Sequence, residues 1–349
     1  MLYDIIAIGG SSGAIEPLQQ VMAELSVNLP AAVFVVVHTA PDRPSHLQEV
    51  ITRYASIRAS TAMHGEKIEK GRAYVAPSDN HLSLHRDYVR VVRGPRENGQ
   101  RPAVDVLFRS AAREYGPRVI GVVLSGQLDC GTAGLLAIRA RGGLAIVQDP
   151  AEATFPGMPS NALRHVQVDH ILPAKEIGKL LARLAGAQVP DARAKQAVGG
   201  SRLLEQQSRL QREIKEVMRA DDPGHALEVA EEDLRISPVT CPECNGSMIE
   251  FDEEGLPRFR CHVGHMFSID SLAAEQEQAV EAALWASVRA LEESETVNRR
   301  RAERSERSIA ERFRERAQAN RHHADTIRRV LLSGKVSQES EEGAEDGAK

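Results

Sequence analysis

The stretch from Leu2 to Glu16, LYDIIAIGGSSGAIE, constrains the fold more than any other part of the chain. Its apolar run, Leu2 to Ile8, has the length of one strand buried on both faces, and glycines and serines separate it from an apolar helix. Gly9, Ser11 and Gly13 fit the G-x-S-x-G pattern, in which a tight turn lifts the middle hydroxyl off the sheet edge. The stretch therefore predicts a strand, a sharp turn and a helix whose N-terminal N–H groups can hold an oxyanion.

Two other interpretations of this turn remain open. A dinucleotide-binding turn has the same setting, but its G-x-G-x-x-G pattern needs glycine at Ser11 and Ala14. It also needs an acidic residue at the end of the second strand, which ends in His38. The turn could instead be purely structural, with a serine that caps the helix.

Composition narrows the class of protein. A chain of 349 residues predicts about two domains. The formal net charge of -5 argues against a general nucleic-acid binder. No apolar run is long enough to cross a bilayer, and the N-terminus lacks a signal-peptide pattern. We therefore expect a cytoplasmic protein without membrane insertion.

Strand and helix patterns alternate through the first half of the chain. Strands are predicted at Ala31 to Val37, Val119 to Leu124 and Leu144 to Val147, and helices at Pro44 to Tyr54, Val104 to Glu114 and Thr132 to Arg141. Turn residues between Gly71 and Val92 predict one or two hairpins at the sheet edge. The pattern predicts an α/β domain over residues 1–184 with a mainly parallel, doubly wound (Rossmann-like) sheet.

Three polar residues follow predicted strands of this sheet. Ser11 follows the first strand, His38 ends the second, and Asp129 lies just beyond the strand at Val119 to Leu124. A serine, a base and an acid are the set that makes a hydroxyl nucleophilic. Taken singly, the histidine could be structural and the aspartate a helix cap. Their order along the chain, Ser, His, Asp, differs from that of the α/β-hydrolases.

Six ordered motifs between Tyr3 and Leu184 resemble the chemotaxis-receptor methylesterase (CheB-type) catalytic domain. They are GGSSGA at Gly9 to Ala14, VVVHTAP around His38, VAPSDNHLSL at Val75 to Leu84, PAVDVLFRSAA at Pro102 to Ala112, LSGQLDCGTAGL at Leu124 to Leu135, and QDPAEATFPGMPSNA at Gln148 to Ala162. The resemblance implies hydrolysis of glutamyl methyl esters on methyl-accepting chemotaxis receptors or similar sensory proteins, and deamidation of receptor glutamines. It implies no cofactor for catalysis.

The resemblance also assigns roles to the three polar residues. Ser11 matches the family nucleophile and His38 its base, whereas Cys130 holds the place of the family aspartate. Asp129, one residue earlier, is the candidate acid. The catalytic strand begins almost at Met1, so we expect an enzyme without the N-terminal receiver domain. The alternative is a catalytically weakened relative that acts as a receptor-binding or zinc-ribbon adaptor protein.

Cysteine spacing predicts a metal site in the second half of the chain. Residues 185–235 are expected to form a linker and an amphipathic helix, and residues 236–268 a zinc-ribbon-like segment. Cys241, Cys244, Cys261 and His265 have the types and spacing of tetrahedral structural Zn²⁺ ligands, with His262 in reserve. A metal-free hairpin is the alternative.

Residues 269–333 carry a thin apolar stripe between arginines and glutamates. The stripe includes Leu284, Val288, Leu291, Ile309, Phe313, Ala317, Ile327 and Leu331. Such a stripe predicts a helical hairpin or a coiled coil, and with it a homodimer through the C-terminal helices. Residues 334–349 are polar and acidic enough to be disordered.

Overall fold

A parallel sheet forms the centre of the first part of the chain. The computed structural model describes residues 1–39, 46–191, 193 and 234–333. Within these ranges seven strands pair in the order β3-β4-β2-β1-β7-β8-β9, and every neighbouring pair is parallel. They are β1 Ile5–Gly10, β2 Ala32–Val37, β3 Arg58–Thr61, β4 Arg72–Val75, β7 Val119–Val123, β8 Leu144–Gln148 and β9 His170–Leu172.

Helices cover both faces of this sheet. They are α1 Ile15–Ala23, α2 Leu47–Tyr54, α3 Val104–Tyr115, α4 Thr132–Ala140, α5 Gly157–His165 and α6 Ala174–Leu184. Ile5 and Ala7 of β1 pack in one core with residues of α3, α4 and α5. Ile6 and Ile8 pack in the other with residues of α1, α2 and α6. Because side chains alternate across a strand, a strand between two helix layers must be apolar at every position. The predicted doubly wound fold is confirmed.

The edge of the sheet differs from the sequence prediction. One hairpin forms, between β5 His81–His85 and β6 Tyr88–Val92, in a two-stranded sheet of its own. Residues 72–75, which fell within the stretch expected to form hairpins, are strand β4 of the parallel sheet. Tyr74 of this strand is fully buried and stacks on Phe34, with 5.2 Å between ring centroids. Apolar residues buried in this way suit an interior strand rather than a solvated hairpin.

A second sheet, here called the C-terminal sheet, packs against the parallel-sheet domain. Its antiparallel strands are β10 Leu234–Thr240, β11 Ser247–Glu253, β12 Leu256–Cys261 and β13 Met266–Ser268. It belongs to the same compact unit as the parallel sheet, Met1–Ser271. Met266 donates its N–H to the Arg96 carbonyl at 3.2 Å and accepts the Asn98 N–H at 2.7 Å. Strand β13 is therefore hydrogen-bonded to the loop at residues 96–98.

Buried charges accompany this contact. Arg258 of β12 forms an ion pair with Glu97 at 2.6 Å, and their side chains are only 2% and 4% exposed. Arg109 of α3 binds the other carboxylate oxygen of Glu97. Burial alone would raise the pKa of Glu97, but the two guanidinium groups outweigh it and hold the pKa below its usual value. Glu253 joins the cluster, with Oε2 lying 3.4 Å from Arg258 Nε.

A second compact unit begins at Leu272. The helices in this part of the chain are α7 Ile269–Glu303 and α8 Arg307–Leu332. Ala310, Ala317 and Ala324 recur every seven residues along α8 and are buried. Ion pairs such as Arg321 with Glu295 at 3.4 Å join α8 to α7. The two helices therefore form a hairpin, which was one of the two predicted alternatives.

Some sequence predictions in the second half differ from the structure or lie outside it. Ala317 of the predicted apolar stripe is buried, whereas Ile309 is 49% exposed, because the adjacent Ala310 is buried in its place. Most of the predicted linker and helix, residues 194–233, and the predicted tail, residues 334–349, fall outside the described residues. None of the described helices combines the length and apolar character needed to cross a membrane.

Candidate active site and metal centre

The turn after β1 presents Ser11 at the carboxyl edge of the parallel sheet. The Ser11 N–H donates to the Ser125 carbonyl at 2.9 Å, which holds the turn against the loop that follows β7. Gly13 has a φ of +71°, a left-handed conformation that glycine adopts without strain. Helix α1 begins at Ile15, so the Ser11 hydroxyl lies just before a helix N-terminus.

His38 lies beside this serine. It follows β2 directly, and its N–H donates to the Gly10 carbonyl at 3.1 Å. The side chains of His38 and Ser11 form a hydrogen bond between Nδ1 and Oγ at 3.1 Å. Burial lowers the pKa of His38 to about 4, so the ring is neutral at pH 7 and Nδ1 can accept the serine proton. The ring proton is then on Nε2, which is buried and has no hydrogen-bond partner among the described residues.

The loop at residues 124–131 borders the same site. A Cβ added to Gly126 would lie 2.1 Å from the sulfur of Met158 and 2.9 Å from Cβ of Ser11. Any larger residue would push the loop away from the serine. Leu128 and Gly131 both have positive φ, +58° and +98°. These residues fold the loop tightly between β7 and α4.

Ser125 supports the site, although the sequence analysis gave it no role. Its fully buried hydroxyl donates to the Ser12 carbonyl at 2.9 Å and accepts the Phe155 N–H at 3.0 Å. Its own N–H donates to the Gln148 side chain at 2.9 Å. Ser125 therefore joins the nucleophile turn to the loop after β8. A serine next to glycine is common in turns, so the sequence alone carries no signal for this role.

Asp129, the predicted acid, is hydrogen-bonded to Ser268 and not to His38. The Ser268 hydroxyl donates to Oδ1 of Asp129 at 2.8 Å. The pKa of Asp129 is raised to about 6, because burial and the nearby Asp105 raise it by more than the Ser268 hydrogen bond lowers it. The carboxyl is thus mostly ionised at pH 7. In the structure Ser11 is hydrogen-bonded to His38, whereas Asp129 is hydrogen-bonded to Ser268 of the C-terminal sheet.

Cys130 does not replace the acid. Its side chain is 3% exposed, and burial raises the pKa of its thiol well above the ordinary value. A neutral thiol carries no charge that could stabilise an imidazolium ion.

Backbone N–H groups near Ser11 are candidates for an oxyanion hole. They include the N–H of Ser12, which follows the proposed nucleophile, and those of the turn at residues 126–128. Gly126 is excluded, because its N–H donates to the Phe155 carbonyl at 2.9 Å. Within the described part of the chain the Ser12 N–H has no acceptor. Ser12, together with Gln127 or Leu128, therefore remains available to a substrate carbonyl.

The four predicted metal ligands converge in the C-terminal sheet. The ligand atoms of Cys241, Cys244, Cys261 and His265 all lie within 4.8 Å of one another. The sulfurs of Cys244 and Cys261 are 3.6 Å apart, and Nδ1 of His265 lies 3.6 Å from Cys241 and 3.5 Å from Cys261. A tetrahedral zinc ion requires about 3.8 Å between two sulfurs and about 3.6 Å between sulfur and nitrogen. The donor set therefore fits zinc, and His262 is not part of it.

A serine paired with a histidine at the carboxyl edge of a parallel α/β sheet is an arrangement found in serine-dependent hydrolases. The CheB methylesterase family matches residues 6–181, about half of the chain. The chain belongs to this family.

Individual relatives cover the same part of the chain. A protein-glutamate methylesterase/protein-glutamine glutaminase of Ralstonia nicotianae is 38% identical over 52% of this chain and 49% of its own length. A second, from Methanosarcina mazei, is 35% identical over 51% of this chain and 52% of its own length. The match thus takes in about half of each of these two proteins. The crystal structure of the Thermotoga maritima CheB methylesterase catalytic domain, 30% identical, matches with a TM-score of 0.51 over 53% of this chain and 100% of that domain.

Proposed function

We propose that the protein is a protein-glutamate methylesterase that hydrolyses glutamyl methyl esters on chemoreceptors through Ser11. The observation that carries this proposal is the 3.1 Å hydrogen bond between Ser11 and His38 in a chain of the CheB methylesterase family. The double name of the relatives, methylesterase and glutaminase, supports deamidation of glutamine at the same site.

The mechanism is a two-step acyl transfer. Nδ1 of His38 takes the proton from Ser11 as Oγ attacks the ester carbonyl, and the oxyanion accepts hydrogen bonds from the Ser12 N–H and its neighbour. The imidazolium then returns the proton to the leaving methoxide, which departs as methanol. Water then attacks the acyl carbon as His38 takes its proton, the bond to Ser11 Oγ breaks, and His38 returns the proton to Oγ, which frees the glutamate and restores the serine. With a glutamine substrate, ammonia leaves in place of methanol.

Asp129 is proposed as the acid of the site. Its loop touches Ser11 at Gly126, and the buried Nε2 of His38 would offer its proton to a carboxylate. A carboxylate there would fix the ring tautomer and stabilise the imidazolium. It would also raise the pKa of His38 and make it a stronger base.

A methanol-release assay on a methylated receptor tests the proposal. Ser11→Ala should lower the rate by a factor of about 10³ or more, because among the described residues Ser11 is the hydroxyl that is hydrogen-bonded to the His38 ring. Ser83→Ala, on the β5–β6 hairpin, is the control and should keep the rate. An unchanged rate in Ser11→Ala would exclude the serine mechanism.

A second candidate function is a receptor-binding or adaptor protein with weak catalysis. The observation that favours it is the engagement of Asp129 by Ser268, together with the buried neutral thiol of Cys130. In that case wild-type protein and Ser11→Ala would bind a receptor helix equally, and neither would release methanol.

We also propose that Cys241, Cys244, Cys261 and His265 hold a structural zinc ion. The distances between their donor atoms support it, and four filled ligand positions leave none for a substrate. Purified protein should contain about one zinc per chain, and Cys244→Ser should lose it. Thiolate ligands persist in a reducing compartment, which supports a cytoplasmic location.

The helical hairpin is proposed to mediate homodimerisation. Trp285, Val297 and Ile309 are 42%, 54% and 49% exposed within it, and apolar side chains of this size often lie at interfaces. Light scattering at increasing concentration tests this, since a monomeric mass throughout would contradict it.

A further inference from the structure

Ser268 belongs to a continuous polar network between the C-terminal sheet and the active-site loop. Its N–H donates to Oδ1 of Asn98 at 3.0 Å, and its hydroxyl lies 2.8 Å from that of Ser271. Asn98 in turn donates to Asp105 of α3 at 3.0 Å. Asn98 and Ser271 thus both have hydrogen-bond partners in the network, and the Ser268 hydroxyl donates its own proton to Asp129. The position of Ser268 is therefore fixed by several partners and not only by Asp129.

Asp129 belongs to the loop that borders Ser11. A Cβ at Gly126 would lie 2.9 Å from Cβ of Ser11, and Asp129 is three residues further along. Three residues span at most about 11 Å of chain. The loop also contains a residue in a conformation disfavoured for its type, Leu128 with a φ of +58°. This local strain opposes the present path of the loop, which the Asn161 side chain stabilises by donating to the Leu128 carbonyl at 2.9 Å.

We propose that Ser268 is a positioning residue that holds Asp129 away from His38, so that docking of the C-terminal sheet restrains the esterase. This inference rests on the proposed function and concerns its regulation. In the restrained state Nε2 of His38 is unpaired and its ring is a weak base. In the released state Asp129 accepts the Nε2 proton and completes the set of three. The C-terminal sheet then acts as an inhibitor within the same chain.

Two kinds of interaction hold the C-terminal sheet against the parallel-sheet domain. It combines the hydrogen bonds of Met266 to the loop at residues 96–98 with the buried ion pair between Arg258 and Glu97. The chain passes directly from the proposed zinc ligand His265 through two residues to Ser268. Any event that displaces β13 therefore also withdraws the hydroxyl from Asp129.

Charged groups face Asp129 from several elements, and the Ser268→Ala substitution removes none of them. They are Asp105 from α3, Arg258 from β12 and Asp270 from the start of α7. A change seen on removing the Ser268 hydroxyl is thus assigned to that hydroxyl.

The test compares Ser268→Ala, Asp129→Asn and the double variant in the full chain. A hydrogen bond to a charged group is strong enough to shift a two-state equilibrium by about tenfold or more. Ser268→Ala should therefore raise kcat/KM for methanol release about tenfold, and the gain should vanish in the double variant. Ser271→Ala, which removes a hydroxyl from the same network without touching Asp129, is the matched control and should not reproduce the gain.

An independent readout follows the His38 ring by NMR titration. In Ser268→Ala the pKa of His38 should rise from about 4 toward its ordinary value of 6.5, because a carboxylate now faces the ring. The rise should be absent in the double variant. An unchanged pKa of His38, or a fall in kcat/KM in Ser268→Ala, overturns the inference.

The two readouts separate the inference from the function on which it rests. If wild type and Ser268→Ala both release methanol no faster than Ser11→Ala, the proposed function fails. The titration then still decides whether Ser268 controls the approach of Asp129 to His38.

Discussion

The carboxyl of Asp129 lies where ionisation is unfavourable. Burial is the largest cause of its raised pKa, and the nearby carboxylate of Asp105 adds to it. The folded protein thus holds the proton until about pH 6, whereas an unfolded chain releases it near 3.8. As the pH rises between these values, the unfolded state loses its proton first. The free energy of unfolding therefore falls over this range because of Asp129.

Asp129→Asn should remove this pH-dependent loss. The amide cannot ionise, and its oxygen can still accept the Ser268 hydroxyl proton. We expect the variant and wild type to be similar near pH 4, and the variant to gain up to about 3 kcal/mol in free energy of unfolding above pH 6. Urea denaturation at several pH values measures this difference. Asp87→Asn, at an exposed site, is the control, and a gain of equal size there would contradict the explanation.

Single residues also show where sequence reasoning succeeds. Ser11 and His38 follow neighbouring parallel strands, and the carboxyl ends of such strands share one edge, so their proximity could be predicted. The partner of Asp129 could not, because Ser268 is 139 positions away in a different sheet. The role of Asp129 as the acid stays a prediction. Local patterns locate strand ends, but tertiary contacts decide which side chain a loop residue meets.

At the scale of elements, the ion pair between Arg258 and Glu97 fastens β12 to the loop before α3. Arg258→Met leaves Glu97 and Glu253 buried with Arg109 as the remaining cation of the cluster. Removing one partner of a buried pair costs about 3–5 kcal/mol, so the variant should lose stability of that order. Urea denaturation measures the loss, and limited proteolysis should show faster cleavage within residues 234–268.

Arg260→Met is the control for this variant. Arg260 lies two residues further along the same strand and makes no ion pair within the described part of the chain. A comparable loss of stability in Arg260→Met would show that the strand, and not the buried charge pair, accounts for the effect.

Element boundaries were largely predictable for the parallel sheet. The strand predicted at Ala31 to Val37 is β2 Ala32–Val37, and the helix predicted at Val104 to Glu114 is α3 Val104–Tyr115. Buried apolar runs and 3.6-residue periodicity suffice for such elements. Strands β3, β4 and β9 were missed, because three or four residues are too few to show a period.

At the scale of the whole molecule, the sequence indicated the catalytic and metal-binding segments separately and gave no sign that they pack together. Arg258 and Glu97 are 161 residues apart, and neither stands in a motif. Charges that pair across such a separation look, in sequence, like ordinary surface residues. Together with the hydrogen bond from Ser268 to Asp129, this contact joins the sheet that carries the proposed zinc site to the domain that carries the proposed catalytic acid.

Metal removal tests that connection directly. Cys261 and His265 flank the turn that leads into β13, and a structural zinc site contributes much of the folding energy of a small sheet. Chelation should therefore release zinc, loosen β13 and raise kcat/KM for methanol release about tenfold, as Ser268→Ala does. Ser268→Ala itself should gain nothing further from chelation, because its Asp129 is already free.

Ser11→Ala should stay inactive with and without the chelator, which excludes a contaminating esterase. If chelation instead lowers the activity of wild type, the zinc site supports catalysis and does not restrain it. If chelation raises kcat/KM of wild type and of Ser268→Ala equally, the metal affects the site by a route that does not involve Asp129. If zinc restrains the site through the hydrogen bond from Ser268 to Asp129, the effects of chelation and of Ser268→Ala on kcat/KM must not be additive. Both changes remove the same hydrogen bond.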